Sequence, residues 1–179
     1  MNTIFALASA PGKAGEESDP IIVHPDVRRK LMLMKSMAEA SRAICMLNAG
    51  ELDCARALDD KDAAALAKAR ADLLTPISKA WSTDIGVEVA SLGVQIHGGM
   101  GFIEETGAAQ YLRDARILPI YEGTNGIQYI DLVTRKLPLG GGSIIEGFFT
   151  EIEDVVTALT SHSDQRLAAI APNLASALA

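Results

Sequence analysis

The chain is short of aromatic residues, of cysteines and of long hydrophobic runs, and each shortage excludes a class of protein. Phe, Trp and Tyr make up 4% of the 179 residues, whereas alanine and leucine are abundant, which favours close-packed helices over a sheet. The only cysteines, Cys45 and Cys54, have no CxxC spacing, and three scattered histidines form no metal-binding pattern. No run reaches the ~18 apolar residues of a membrane span. The sequence therefore predicts no disulfide scaffold, no metal centre and no transmembrane segment.

Positive charge is also scarce. Lys and Arg number 16 against 23 Asp and Glu, for a formal net charge of −7, and no basic block is dense enough for nucleic-acid binding. The short apolar run at residues 3–10 has no basic residue before it and is followed by Pro11, which is not typical of a signal peptide. We therefore expect a reduced, cytoplasmic setting without a nucleic-acid partner.

Apolar residues recur at helical spacing over most of the chain. A first helix is predicted to open at residues 24–26, to present an apolar stripe that includes Met34, and to end near Gly50. Met32, Met34 and Met37 are interpreted as core filling in preference to a ligand pocket. A second pattern covers residues 63–92, with Pro76 inside it and a core face listed here as Ile77, Trp81, Ile85, Val89 and Leu92. With a further helix at residues 125–137, the sequence predicts an all-α, antiparallel helix bundle.

The predicted domain boundaries follow changes in composition. Residues 1–22 lack a clear period and are interpreted as a mobile lead-in or linker, ahead of a helical bundle over residues 23–138. Residues 139–143 are Gly-rich and are interpreted as a linker. Residues 144–179 are predicted to form two further amphipathic helices, over 144–161 and 165–178.

Two glycine-bearing turns lie between the predicted helices. We call residues 98–101 the first turn and residues 122–126 the second turn. Glycine tolerates positive φ and lets a ligand approach the backbone, so each turn is a place where N–H groups can meet an anion. Thr124 is predicted to cap the following helix, and Thr106 to cap a short helix that carries Tyr111. Glu122, beside the helix start, is by spacing alone a base, part of an anion site, or a carboxylate that stabilises the helix dipole.

Three sequence blocks extend this pattern: QIHGGMGF from Gln95, RDAR from Arg113 and YEGTNGIQ from Tyr121. In this order and spacing they resemble the C-terminal signature of the acyl-CoA dehydrogenases, which are FAD-dependent flavoproteins. The resemblance implies removal of the α-proton of an acyl-CoA thioester while the β-hydride passes to flavin. It also implies a homo-oligomer (dimer or tetramer) and, for the complete enzyme, electron-transfer flavoprotein as a partner.

The resemblance assigns roles to residues in both turns. It implies that Glu122 is the catalytic base and that Glu122, Gly123 and Tyr121 contact substrate. The positions that it implies for FAD contact are Gln95, Ile96, His97, Gly98, Gly99, Thr124 and Gly126. It gives no catalytic role to Glu104 or Glu105. Arg113 and Asp114 are interpreted as a structural ion pair.

Members of this family carry an N-terminal helical domain and a middle β domain, and neither is represented in these 179 residues. We therefore expect the chain to be a C-terminal part of a longer enzyme, and to be inactive and to bind FAD weakly by itself. Two alternatives remain open: a non-catalytic helical assembly or interaction domain, and a part of an acyl-CoA oxidase.

Overall fold

The computed structural model describes residues 20–178, and every regular element within them is helical. The helices are α1 (Pro25–Ala57), α2 (Lys61–His97), α3 (Gly99–Phe102), α4 (Ala108–Ile117), α5 (Asn125–Asp131), α6 (Ser143–Thr160), α7 (Gln165–Ala168) and α8 (Ala171–Leu178). Short 3-10 turns lie at Ile21–Val23, Glu104–Thr106 and Leu139–Gly142, and a π-helical turn at Leu132–Lys136 follows α5. The all-α fold class is confirmed. The predicted lead-in lies mostly outside the described residues.

The described chain divides into two compact units. One unit contains residues 20–50 and 74–129, and the other contains residues 51–73 and 130–178. In the first unit α1 and α2 run antiparallel: the Asn48 amide donates to the Thr75 hydroxyl at 3.3 Å, and the Cys45 thiol lies 3.8 Å from the Ser82 hydroxyl. No helix in the described range is apolar over a sufficient length to cross a membrane.

The helix ends follow local chemistry, with three departures from prediction. Asp60 caps α2 as its side chain accepts from the N–H groups of Asp62 and Ala63 at 2.9 and 3.2 Å. The predicted stop of α1 near Gly50 is wrong, because the helix continues for two turns to Ala57. Glu51 lies in this extension and forms an ion pair with Arg70 of α2 at 2.7 Å, which stabilises the added turns.

The second departure concerns Thr106. It does not cap α4, because its hydroxyl donates to the carbonyls of Met100 and Ile103, and Gly107 at φ 77° precedes the helix. The third lies near the C-terminus, where one predicted helix over residues 165–178 is divided into α7 and α8. Pro172 has no N–H to donate to a preceding carbonyl, so a continuous helix is interrupted there.

Burial is concentrated in the middle of α2 and agrees only in part with the predicted core face, of which Ile85 is buried. Leu73, Leu74, Pro76 and Ala80 are buried, whereas Trp81 is 38% exposed. Helix α1 has no buried residue, so core filling by its methionines is also wrong. Met34 is half-buried and lines an apolar groove of about 520 Å³ that also borders Gly93 and His97. Helical spacing identified the apolar stripes, but the partner helix decides which part of a stripe is covered.

The second unit is built around α6. Before this helix, Gly140, Gly141 and Gly142 take positive φ in succession within the segment that was predicted as a linker. The α6 helix packs on α8, and Arg70 of α2 bonds to Glu151 of α6 at 2.5 and 2.8 Å. The Arg70 guanidinium also lies 5.0 Å from the centre of the Phe148 ring.

Candidate functional site

The first turn begins where α2 ends. The Gly98 N–H donates to the Gln95 carbonyl at 3.1 Å, and Gly98 takes φ 62° and ψ −145°, a conformation that favours glycine. The half-buried His97 ring bonds through Nδ1 to the Gly93 carbonyl at 2.8 Å, so its position is set within α2. Gly98 and Gly99 are exposed, and a methyl group at either would contact nothing within 4 Å. Their backbone is therefore open to approach from outside the chain.

Gly101 shapes the first turn in a different way. It is buried, and a methyl group there would lie 2.3 Å from the Val94 carbonyl oxygen and 2.8 Å from His97 Cβ. The turn can pack against the end of α2 only because this side chain is absent. The resemblance implies FAD contact for Gly98 and Gly99 but not for Gly101; in the structure the first two glycines are exposed and the third is buried.

The second turn lies between α4 and α5, and Glu122 takes an unusual conformation in it. Glu122 has φ 52°, which is the left-handed region for a residue with a side chain, and Gly123 follows at φ 85°. Such a conformation costs about 1–2 kcal/mol per residue relative to right-handed backbone for residues other than glycine. Tyr121, Glu122, Gly123, Thr124 and Gly126 are all exposed.

The cap of α5 is Thr124, as predicted. Its hydroxyl accepts from the Ile127 N–H at 3.4 Å, a long bond, and its carbonyl accepts from the Gln128 N–H at 3.1 Å. The Glu122 carboxylate accepts no hydrogen bond and forms no ion pair with any of residues 20–178. Among the described residues, the backbone N–H groups of Glu122, Gly123 and Thr124 likewise donate to no acceptor. The turn thus presents a carboxylate and three N–H groups that the described fold does not use.

Asn125, which the sequence analysis did not single out as a site residue, connects the second turn to α2. Its Nδ2 donates to the Ala80 carbonyl at 3.0 Å, to the Thr83 hydroxyl at 3.0 Å and to Asp84 Oδ1 at 2.8 Å. Its Oδ1 accepts from Lys79 Nζ at 2.8 Å and lies 3.2 Å from the Thr83 hydroxyl. The side chain is 7% exposed. The sequence shows only an asparagine directly after a cap residue. That pattern is the same for a buried side chain and for a solvated one.

Asp84 also binds α5 one helical turn farther along. The Tyr129 hydroxyl donates to Asp84 Oδ2, while Asn125 occupies Oδ1. This hydrogen bond raises the pKa of the Tyr129 phenol, with burial and the negative charge of Asp84 acting in the same direction. The start of α5 is therefore held to α2 at two successive points.

The two turns contact α2 at different positions along its axis. Asp84 and Gln95 are separated by about 16 Å along the helix axis at 1.5 Å per residue. No hydrogen bond joins one turn to the other within residues 20–178. The predicted site residues thus form two clusters: Gln95, Ile96, His97, Gly98 and Gly99 in one, and Tyr121, Glu122, Gly123, Thr124 and Gly126 in the other.

The other acidic and basic candidates lie apart from the second turn. Glu104 and Glu105 are exposed in the 3-10 turn before α4. The predicted ion pair of Arg113 with Asp114 is wrong, because neither side chain forms an ion pair within the described chain. Neighbouring residues on a helix point in different directions, so they cannot readily pair.

Comparison with known proteins shows the family of the chain. Residues 9–137 match the model of the acyl-CoA dehydrogenase C-terminal domain. The chain is 52% identical over 135 residues to a 3-methylmercaptopropionyl-CoA dehydrogenase of Ruegeria pomeroyi, and 34% identical over 136 residues to a butyryl-CoA dehydrogenase of Syntrophomonas wolfei. These alignments cover 75% and 76% of this chain, but only 23% and 22% of those relatives.

A solved structure, the apo form of Bd2924, has a related fold. It superposes with a TM-score of 0.62 at 25% sequence identity, over 93% of this chain and 33% of that one. The family match covers most of the chain, including both turns and the helices that carry them. The chain therefore belongs to the acyl-CoA dehydrogenase family and corresponds to its C-terminal domain.

Proposed function

We propose that this chain is the C-terminal part of an FAD-dependent acyl-CoA dehydrogenase and supplies the base that removes the α-proton of an acyl-CoA thioester. The observation that carries the proposal is the second turn, where Glu122 is exposed and makes no bond within the described chain. The curated relatives are themselves named as acyl-CoA dehydrogenases. Because the chain spans less than a quarter of their length, the activity of the whole enzyme is part of the proposal.

In this mechanism the Glu122 carboxylate takes the α-proton while the β-carbon loses a hydride, so that a double bond forms between the two carbons. The α-C–H group of a thioester is a weak acid, and removal of its proton builds negative charge on the carbonyl oxygen. The N–H of Glu122, an exposed residue, has no acceptor in the described chain and would hold that oxygen. The same turn would thus provide the base and a stabilising donor.

A second role of Glu122, stabilisation of the α5 dipole, receives less support from the geometry. Thr124 already caps the helix, and the Glu122 carboxylate accepts from none of its N–H groups. A left-handed conformation at a non-glycine residue costs about 1–2 kcal/mol, and a dipole contribution of about 0.3–1 kcal/mol is smaller. Such conformations are found more often at functional sites.

The first turn fits a nucleotide cofactor. Gly98 and Gly99 leave space beside their backbone; because the Gly98 N–H already donates to the Gln95 carbonyl, the Gly99 N–H is the donor of this pair that remains for a phosphate. We propose that residues 95–99 contact FAD of a neighbouring subunit and that Thr124 and Gly126 contact FAD beside the base. When bound, FAD supplies the acceptor of the β-hydride.

The proposal includes the partners of the complete enzyme. These are an acyl-CoA substrate, electron-transfer flavoprotein as electron acceptor, and further copies of the same chain in a homo-oligomer. Cys45 and Cys54 are both exposed free thiols, which supports a cytoplasmic, reducing setting. By itself, the 179-residue chain is proposed to be inactive.

The test is Glu122→Gln in the full-length enzyme, because glutamine keeps the shape of the side chain but cannot act as the base. We expect dehydrogenation to fall by about 10²–10⁴-fold, equivalent to about 3–5 kcal/mol of barrier, with FAD content and thermal stability unchanged. The measurement is anaerobic flavin bleaching by acyl-CoA in a stopped-flow instrument. A dipole role predicts instead a stability loss below ~1 kcal/mol and a normal rate.

Glu104→Gln is the matched control, since Glu104 is also exposed and lies in a turn before a helix. This variant is expected to bleach its flavin within a few-fold of the parent rate. A Glu122→Gln enzyme that bleaches as fast as the Glu104→Gln enzyme would refute the assignment and would favour a non-catalytic assembly domain.

A further inference from the structure

Asn125 stands out because it is buried at the end of an exposed turn. Every other residue of the second turn is exposed, whereas Asn125 is 7% exposed. Burial of an amide is unfavourable unless its donors and acceptor are satisfied. Here both ends of the amide are bonded to the same segment of α2, from Lys79 to Asp84.

The backbone of Asn125 closes the loop that contains Glu122. Its N–H donates to the Pro119 carbonyl at 3.0 Å, which joins the two ends of residues 119–125. One residue thus closes the loop through its backbone and binds the loop to α2 through its side chain. Left-handed conformations of residues such as Glu122 persist only where surrounding contacts hold them.

Building on the proposed function, we propose that Asn125 is a positioning residue: its side-chain amide holds the second turn against α2 and thereby maintains Glu122 in its left-handed, outward-facing conformation. Asp84 is its partner, since one carboxylate oxygen binds Asn125 and the other binds Tyr129. Asn125 itself does not contact the reacting atoms. Its effect on catalysis passes through the position of Glu122.

An asparagine that only stabilises the fold would behave differently. Its loss would lower the amount or the stability of folded enzyme, but each folded, FAD-loaded site would react at the parent rate. A positioning residue lowers kcat per bound FAD, because a base displaced by about 1 Å loses about 10²-fold in rate. The KM for acyl-CoA and the FAD content change little in that case.

The experiment exchanges the donor and the acceptor between Asn125 and Asp84. Asn125→Asp removes the Nδ2 donors and places two carboxylates against each other; adding Asp84→Asn restores the donor–acceptor pair between positions 125 and 84 with the same total charge, while the Ala80 carbonyl stays without its donor. In the full-length enzyme we expect kcat per FAD to fall at least tenfold in Asn125→Asp and to return to within about threefold of the parent in the double variant. Recovery of thermal stability without recovery of kcat overturns the proposal.

Asn48→Asp is the matched control. Asn48 is a half-buried asparagine of the same unit that also donates to α2, through Thr75, but it is remote in sequence from the second turn. This substitution is expected to lower stability and to leave kcat per FAD unchanged. An equal loss of kcat in Asn48→Asp and Asn125→Asp overturns a positioning role.

Hydrogen exchange in the 179-residue chain separates this inference from the proposed function. We expect the Asn125 N–H, bonded to Pro119, to exchange at least tenfold faster in Asn125→Asp and at the parent rate in Asn48→Asp. If Glu122→Gln retains full activity, the proposed function fails, but accelerated exchange still supports the holding role of Asn125. Unchanged exchange overturns that role whatever the outcome for Glu122.

If Asn125→Asp does not fold, Lys79→Met tests the same proposal. It removes the Lys79 ammonium donor to Asn125 Oδ1 and leaves the Thr83 hydroxyl at 3.2 Å from that oxygen and the Nδ2 bonds to Ala80 and Asp84 in place. A threefold to tenfold loss of kcat per FAD, with faster exchange at Asn125, is expected. Parent values for both quantities overturn the proposal.

Discussion

At the scale of single residues, two glycines of the first turn differ in the space that a side chain would find. Gly101→Ala would place a methyl group 2.3 Å from the Val94 carbonyl oxygen, a backbone atom that cannot move aside alone. We expect the free energy of unfolding to fall by about 1–3 kcal/mol, the usual cost of overpacking. Urea denaturation of the 179-residue chain, followed by far-UV circular dichroism, measures this change.

Gly99→Ala is the control for the same turn. A methyl group at Gly99 would contact nothing within 4 Å, and its φ is not positive. Its unfolding free energy is expected to stay within about 0.5 kcal/mol of the parent. Equal losses in the two variants would contradict the packing of Gly101 against the end of α2.

At the scale of elements, Arg70 is the main polar connection of α6 in its unit. Its guanidinium binds Glu51 at 2.7 Å and Glu151 at 2.8 Å, and it is largely buried while Glu151 is exposed. The hydrogen bond from Arg70 lowers the pKa of the Glu151 carboxyl. A lowered pKa in the folded state means that the ion pair stabilises the fold above the unfolded pKa of about 4.3, and that this contribution disappears as pH falls through the folded value.

We therefore expect Glu151→Gln to lower the free energy of unfolding by less than about 1 kcal/mol at pH 7, because the exposed carboxylate is screened by solvent. The difference from the parent should shrink toward zero as pH falls below about 4.3. Urea denaturation between pH 3 and pH 7 measures it. Glu153→Gln, on the same helix and without an ion pair in the described chain, is expected to show no such dependence; a similar pH dependence in both variants would exclude the Arg70 pair as its source.

At the scale of the whole molecule, much apolar surface remains exposed. Neither α1 nor α6 has a buried residue, and Phe102 and Tyr111 are 82% and 75% exposed. Exposed apolar surface of this kind favours association. We expect the 179-residue chain to form a homo-oligomer, dimer or tetramer, in light scattering.

Tyr111→Glu tests which surface is involved, since it puts a charge on an exposed apolar position of α4. Gln110→Glu adds the same charge at the adjacent exposed residue and is the control. We expect the mass to fall toward the 18.9 kDa of one chain in the first variant only. A parent mass of 18.9 kDa at every concentration would contradict the prediction of an oligomer.

The sequence by itself determined the fold class, the family and the positions of both turns. Apolar spacing is a local property of a helix, so α2 and α5 could be predicted from it. The three motif blocks identified the family and marked Glu122 and Gly98 as candidates. Helix ends were less accurate, as at Gly50 and Thr106, because a glycine or a threonine permits a helix end without requiring one.

Only the tertiary structure decided which residues are buried and what holds the second turn. The exposure of Trp81 and the burial of Asn125 depend on segments that are distant in sequence, and apolar spacing carries no information about them. The left-handed backbone of Glu122 is likewise set by contacts at both ends of its loop, from Pro119 to Asn125 and from Asn125 to Asp84. Local propensity disfavours that conformation, so it exists because the packing of the turn against α2 outweighs its cost.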